Sequence, residues 1–199
     1  MLFTVTRTEL DALFGGDRLA TLPAAAFPLR AAGTEGARLL QTVGAPTGTL
    51  SLRDPDPESG LLPRVREVAD ADEDAGEWPV IGWLLNAHLA LDPDTGTVFA
   101  VDPDEETVRA LHTDVSSLIH VTVRLQRLLD TFAFGGDGTE EEAGFERLER
   151  AVDHIRRTTD AVDSLPFADE ESVWSVVADE IVMGQRFAHG SPGAVSLHG

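Results

Sequence analysis

The chain of 199 residues contains no cysteine, no lysine and no tyrosine. Without cysteine it cannot form disulfide bonds, thiolate zinc sites, iron–sulfur clusters or a cysteine nucleophile. Long apolar runs are also missing, since no stretch reaches the roughly 18 residues that a membrane-spanning helix needs. The N-terminus has no basic region followed by an apolar segment and a cleavage site. The sequence therefore predicts a cytoplasmic protein with no membrane partner.

Positive charge is scarce in this chain. Its 15 basic residues, all arginine, oppose 35 acidic residues and give a formal net charge of −20. A protein with this much negative charge repels nucleic acid and anionic lipid, and it associates more readily with basic surfaces. Solubility or adaptation to salt would produce the same composition, so charge alone leaves the role open.

The order of the predicted elements indicates the fold class. Apolar spacing predicts two helices in the first 45 residues, strands at 48–53 and between 78 and 112, and helices from about 114, 140 and 169. Thr8 and Asp11 fit a capping box for the first helix, and Pro93 with Gly96 marks a turn between strands. This order, in which helices are followed by strands and then by helices, predicts an α+β fold. We expect an antiparallel or mixed sheet of about 4–6 strands with helices packed against it.

The length fits one domain, which we expect to cover residues 1–184. Residues 185–199 contain Gly, Ser and His with no periodicity, and we expect them to form a flexible C-terminal tail. Nothing in the sequence predicts an oligomeric state.

Motifs for metal binding and catalysis are incomplete or absent. Residues 70–76 begin like a calcium loop, but Gly76 comes one position late and Ile81 stands where the bidentate acid belongs. A solvated acidic segment within a long loop at 54–77 is the simpler interpretation. No histidine pair, nucleophile elbow or phosphate-binding loop is present, so no metal or cofactor is predicted. Paired carboxylates leave an enzyme open, because 35 acids form pairs by chance.

The three tryptophans have different sequence contexts. Trp83 and Trp174 lie in apolar runs and are predicted to be core residues. Trp78 follows the acidic segment and is either a core residue or a surface anchor for a partner.

Several segments resemble the SUKH superfamily. Ile81-Gly82, followed by the run Leu89 to Val98, is similar to the "IG" strand and "hLD-xx-TG-xV" hairpin of its central signature. Thr34 to Pro46 resembles the family's "T-xx-FL-xx-GLP" segment, although Leu39-Leu40 and Gly44-Ala45-Pro46 replace its Phe and Leu. Ser116-Ser117-Leu118 looks like the "NSSL-xx-F" step, with Val115 in place of Asn and Val121 in place of Phe. Trp174 to Gly184 looks like the closing "W-xx-hh-xE-h-xx-G" helix. The resemblance covers residues 34–184 and is closest to the fourth, actinobacterial SUKH group.

The resemblance implies an immunity protein of a bacterial polymorphic toxin system. Such proteins are α+β domains that bind and block a toxin of the same strain, often a nuclease or a deaminase, and they are not known as enzymes. A basic toxin cleft would complement the acidic chain. The alternative within the same superfamily is a general protein-interaction or scaffold module without a toxin partner.

Two acidic groups and one tryptophan are the predicted partner-binding residues, because a basic toxin surface would meet dense carboxylates. The first group is Asp70, Asp72, Glu73, Asp74 and Glu77, with Trp78 beside it. The second group lies at predicted hairpin ends and comprises Asp92, Asp94, Asp102, Asp104, Glu105 and Glu106. We expect the hairpin ends to lie on neighbouring edges of the sheet if the strands align.

Overall fold

The computed structural model describes residues 1–135 and 138–198. The chain divides into two compact units, Met1–Thr122 and Val123–Gly199. Gly199, the last residue of the expected tail, lies outside the described residues.

The first unit contains three helices and seven strands, and a fourth helix begins there. The helices are α1 Arg7–Phe14, α2 Leu29–Ala32, α3 Glu35–Thr42 and α4 Val115–Thr131. The strands are β1 Leu19–Ala20, β2 Ala45–Pro46, β3 Ser51–Leu52, β4 Val80–Leu84, β5 Ala87–Leu91, β6 Val98–Asp102 and β7 Thr107–His112. The α+β class is confirmed, whereas α2 and the small β1–β2 sheet were not expected.

The main sheet has five antiparallel strands in the order β3-β4-β5-β6-β7. Each strand from β4 onward is followed by its neighbour in the sheet, which makes a meander with short turns. Gly96 has a φ of 80° in the β5–β6 turn, a conformation that glycine adopts without steric cost. The expected sheet size and hairpin turn are therefore confirmed.

One face of this sheet is covered by the segment 65–78, of which the acidic part, residues 70–77, was expected to be extended and solvated. Instead it forms 3-10 turns at Val65–Glu67 and Ala75–Glu77. Val65 is fully buried with Val80, Ala90 and Val101, and five further apolar residues pack against this cluster: Val68, Ala69, Ala71, Trp78 and Val108. The apolar residues between the acids pack on the sheet, because removing their side chains from water stabilises the fold. The acidic segment is therefore held against the sheet and is not fully solvated.

The start of α1 differs from the predicted capping box. Thr6, not Thr8, is the N-cap: its hydroxyl accepts the backbone N–H of Glu9, and the Glu9 carboxylate accepts the backbone N–H of Thr6. The longer side chain of glutamate can reach back to the cap residue, which is the reason that the motif requires Glu or Gln at this position.

The second unit contains helices α5 Gly138–Asp160, α6 Val173–Val182 and α7 Pro192–His198, together with the end of α4. Trp174 on α6 is completely buried, as predicted. The rings of Phe132, Phe134 and Phe187 contact one another, and Phe134 also contacts Phe145. No element was predicted at 185–199, yet α7 forms there and the Ser196 hydroxyl accepts the backbone N–H of Phe134 (2.9 Å).

Asp114 organises the start of α4. Its carboxylate accepts N–H groups from Ser117 (2.9 Å) and Leu2 (2.8 Å) and the hydroxyl of Ser116 (2.6 Å). Burial alone would raise the pKa of Asp114, but these hydrogen bonds and the charge of the N-terminal amine together lower it below its ordinary value. The ionised form is therefore the one that the fold stabilises.

We predict that Asp114→Ala lowers the free energy of unfolding at pH 7 by about 1 kcal/mol, the usual cost of losing a helix N-cap. A lowered folded-state pKa gives stability that is present above the unfolded-state pKa and lost as pH falls through the folded-state value. The difference between wild type and variant should therefore shrink below pH 4, near the ordinary aspartate pKa. Urea unfolding at pH 7 and pH 3 measures this, and an equal difference at both pH values would contradict it.

Candidate functional site

The turns of the meander divide the predicted acidic contact residues between two ends of the sheet. Asp102 pairs with Thr107 at the β6–β7 turn, and the side chain of Asn86 in the β4–β5 turn donates to Asp102 (2.9 Å). Leu91 pairs with Val98 at the β5–β6 turn, which lies at the opposite end. Successive turns of an antiparallel meander alternate between ends, so Asp92 and Asp94 do not lie beside Asp102, Asp104, Glu105 and Glu106.

Asp92 and Asp94 are engaged within the chain. Asp92 is buried, and its carboxylate accepts the N–H of Asp94 (2.8 Å) and the hydroxyl of Thr95 (2.7 Å). Asp94 forms an ion pair with Arg30. These carboxylates therefore have less capacity left for a partner than the exposed acids of the other groups.

The first acidic group has four exposed members, Asp70, Asp72, Glu73 and Asp74. The carboxylate of Asp72 accepts the N–H of Ala75 (2.8 Å) and so shapes the following turn. Glu77 is half-buried and pairs with Arg64 (2.8 Å) and with Arg66. Glu77 thus holds the segment together, while the other four direct their charge to solvent.

The two acidic groups border the same face of the sheet. Residues that pair across an antiparallel ladder share a face, and Trp83, His88, Val101 and Val108 form one such row. Ala71, between Asp70 and Asp72, packs with the apolar cluster that contains Val101 and Val108. Those two valines flank the β6–β7 turn. We call this set of eight carboxylates the acidic rim: Asp70, Asp72, Glu73, Asp74, Asp102, Asp104, Glu105 and Glu106.

Trp78 connects the first group to the sheet. Its indole packs on Phe99 of β6 with the two rings tilted by 34° and a centroid separation of 4.5 Å, and it is partly buried against the apolar cluster. This contact explains the position of the segment that carries Asp70 to Glu77, and Trp78 retains a partly exposed side chain beside the rim.

Most of the acidic rim lacks a compensating charge. In the part of the chain that the structure describes, no cationic group lies within ion-pair distance of six of its carboxylates: Asp70, Glu73, Asp74, Asp104, Glu105 and Glu106. Like charges that are neither paired nor buried project a negative potential over this side of the sheet. The geometry thus suits electrostatic attraction of a cationic surface.

Trp83 was predicted to lie in the core, and this was wrong. It is 37 % exposed, whereas the other four residues of β4 are buried. The guanidinium of Arg53 lies over its indole, 5.6 Å from the ring centroid. β3 pairs with only two residues of β4, so little backbone is available at this edge to cover a large ring. An apolar run gives no signal for this, because both faces of the strand carry apolar side chains.

A charged cleft of the second unit contains an arginine, Arg156, that is already paired within the chain. The cleft, with a volume of about 590 Å³, lies beside Arg156 and Phe167. Arg156 donates to Asp179 (2.6 Å) and to the carbonyl of Ser175 (3.2 Å). Arg156 therefore serves the packing of α5 on α6 as an ion pair.

Metal binding and membrane insertion find no structural support in the described residues. No group of three His, Asp or Glu side chains in 1–135 and 138–198 is placed to hold a metal ion. Over the same residues, no helix combines the length and apolar character that crossing a bilayer requires.

Comparison with protein-family models gives a match over residues 5–180 to the family described as SUKH-4 immunity protein. The matched range includes α1 and extends from the first unit into the second. No curated protein and no solved structure gives a significant match to the chain.

Proposed function

Since the chain belongs to the SUKH-4 immunity protein family, we propose that it binds a cognate toxin domain through the acidic rim and blocks the toxin by direct occlusion. The observation that carries this proposal is the rim itself, where six exposed carboxylates have no cation within ion-pair distance among the described residues. Immunity proteins protect the cell that makes the matching toxin, and a binding surface is the part that such protection requires.

The charge of the rim defines the chemistry of the partner. A net charge of −20 and an unpaired acidic surface favour a toxin with a basic surface, because complementary potentials speed the encounter and disfavour wrong partners. Enzymes that act on nucleic acid carry such surfaces, since they must bind phosphates. The proposed toxin is therefore a basic, nucleic-acid-targeting domain, and the immunity protein occupies the surface that its substrate would use.

Occlusion requires no chemistry from the immunity protein. Rim carboxylates pair with toxin cations, while the partly exposed side chain of Trp78 supplies apolar area within the contact. The proposal assigns no catalytic step to this chain. It places the complex in the cytoplasm, where a toxin that cleaves or modifies nucleic acid would act.

Co-expression tests the function directly. The C-terminal domain of the polymorphic toxin encoded beside the gene is induced in a sensitive host with and without this protein. We expect survival only with the protein present, and co-purification of the two chains at low salt. Cell death in the presence of well-expressed protein would overturn the proposal, and a gene with no toxin beside it would favour the scaffold alternative.

A further inference from the structure

Trp83 is unusually exposed for its position in the sheet. Among the three tryptophans, Trp174 is completely buried and Trp78 is partly buried against Phe99, but Trp83 is 37 % exposed. Indole side chains on a surface are enriched at the centres of protein interfaces, where they supply a large rigid area. The guanidinium of Arg53 covers part of this ring, and the surface of the indole that stays exposed is available to a partner.

A groove of about 310 Å³ lies beside this indole, lined among others by Arg53, Asp54, Asp56, Pro63, Glu67 and Trp83. Its three carboxylates outnumber its one guanidinium. The carboxylate of Asp56 accepts N–H groups from Ser59 (2.8 Å) and Glu58 (3.0 Å). These hydrogen bonds lower the pKa of Asp56, so that it stays ionised at neutral pH. The groove is consequently negative, with an aromatic ring in its wall.

Trp83 lies on the same face of the sheet that the acidic rim borders. Trp83 pairs with His88, and His88 pairs with Val101, one residue before Asp102 of the rim. The pKa of His88 is lowered by burial and by the nearby positive charge of Arg53. His88 is therefore neutral at pH 7 and adds no repulsion toward a cation. A partner that covers the rim and reaches Trp83 meets the guanidinium of Arg53 there.

We propose that Trp83 is the anchor of the toxin contact and that its groove takes one arginine or lysine side chain of the toxin. The three carboxylates of the groove outnumber the guanidinium of Arg53 and therefore favour a further cation. The exposed part of the indole offers apolar area to the aliphatic portion of that side chain. This inference rests on the proposed function and adds to it. The charge of the rim speeds association with the toxin, and Trp83 slows dissociation of the complex.

Kinetics with the toxin domain encoded beside the gene test the anchor. We expect Trp83→Ala to raise the dissociation rate by at least about 30-fold, the effect of losing an interface hot spot. The association rate should stay within about threefold of the wild-type value, because association depends mainly on charge. Leu13→Ala is the control, since Leu13 on α1 is also exposed (44 %) and lies outside the groove.

A dissociation rate for Trp83→Ala within about threefold of wild type, in a protein with unchanged circular dichroism, would overturn the inference. Loss of wild-type binding would overturn the proposed function and the inference together. Slower association of a rim variant with unchanged dissociation of Trp83→Ala would leave the proposed function intact and remove only the anchor.

Fluorine NMR gives a second measurement on the unmutated protein. With 5-fluorotryptophan the chain carries three labels, and Trp83→Phe identifies the Trp83 resonance by its loss. We expect saturating unlabelled toxin domain to shift this resonance and to abolish its solvent isotope effect, while the Trp174 resonance stays in place. A Trp83 resonance that keeps its chemical shift and its solvent isotope effect in the complex would contradict the proposal.

Discussion

Reversing four charges of the acidic rim is expected to slow association with the toxin domain by about 10- to 100-fold at low salt, the range that electrostatic steering contributes. The variant is Glu73→Lys, Asp74→Lys, Asp104→Lys and Glu105→Lys. These four side chains are exposed and make no hydrogen bond within the described residues, so we expect the fold to be unchanged. Stopped-flow mixing at low salt and at about 1 M salt, where the Debye length is ~3 Å, measures the effect.

The matched control reverses four exposed acids of α5, Glu142, Glu149, Asp153 and Asp160. It changes the net charge by the same amount but leaves the rim unchanged. We expect its association rate to stay within about threefold of wild type, because a diffuse change in charge steers far less than a local one. Equal slowing by both variants would show that net charge, and not the rim, attracts the toxin. No slowing by either would remove the rim from the proposed function.

Truncating the buried tryptophan of the second unit should have the largest effect on stability. Trp174 is completely buried on α6, and we expect Trp174→Ala to lower the free energy of unfolding by about 3–5 kcal/mol. Domains of this kind are stable by only about 5–15 kcal/mol in total. The variant should therefore lose protection in cells through unfolding, even though the rim is untouched. Urea unfolding followed by circular dichroism measures the loss.

Val176→Ala on the same helix is the control for this prediction. Val176 is 37 % exposed, and surface truncations usually change stability by less than about 0.5 kcal/mol. A loss below about 1 kcal/mol for Trp174→Ala would mean that the site collapses around the smaller side chain. In that case α6 would contribute less to the core than its burial indicates.

The strands and the β5–β6 turn could be predicted because their causes are local. Pro93 and Gly96 favour a turn wherever they occur, and apolar runs such as Val80–Leu84 favour strands. The acidic segment 70–77 was mispredicted as fully extended for a related reason. Its acids dominate the local pattern, whereas the contacts that hold it, Val65 with the sheet and Trp78 on Phe99, join residues far apart in sequence.

The candidate site was predicted only in outline. The resemblance to the SUKH superfamily and the acidic composition both indicate a basic partner. Which of the acids could meet that partner was not visible, since Asp94 is neutralised by Arg30, 64 residues away, and Glu77 by Arg64 and Arg66. Ion pairs of this kind depend on how the chain folds back, and spacing along the sequence does not encode them.

By itself, the sequence determined the α+β class, the positions of most helices and strands, and the excess of negative charge, because propensity, turn chemistry and composition act locally. Only the tertiary structure decided which carboxylates stay without an ion-pair partner, which face of the sheet they border, and that Trp83 is partly exposed. Those properties follow from strand order and from contacts between distant segments. The indole of Trp83 stays partly exposed beside the short edge strand β3. Asp92 and Asp102 lie at opposite ends of the sheet because successive turns of an antiparallel meander alternate between its ends.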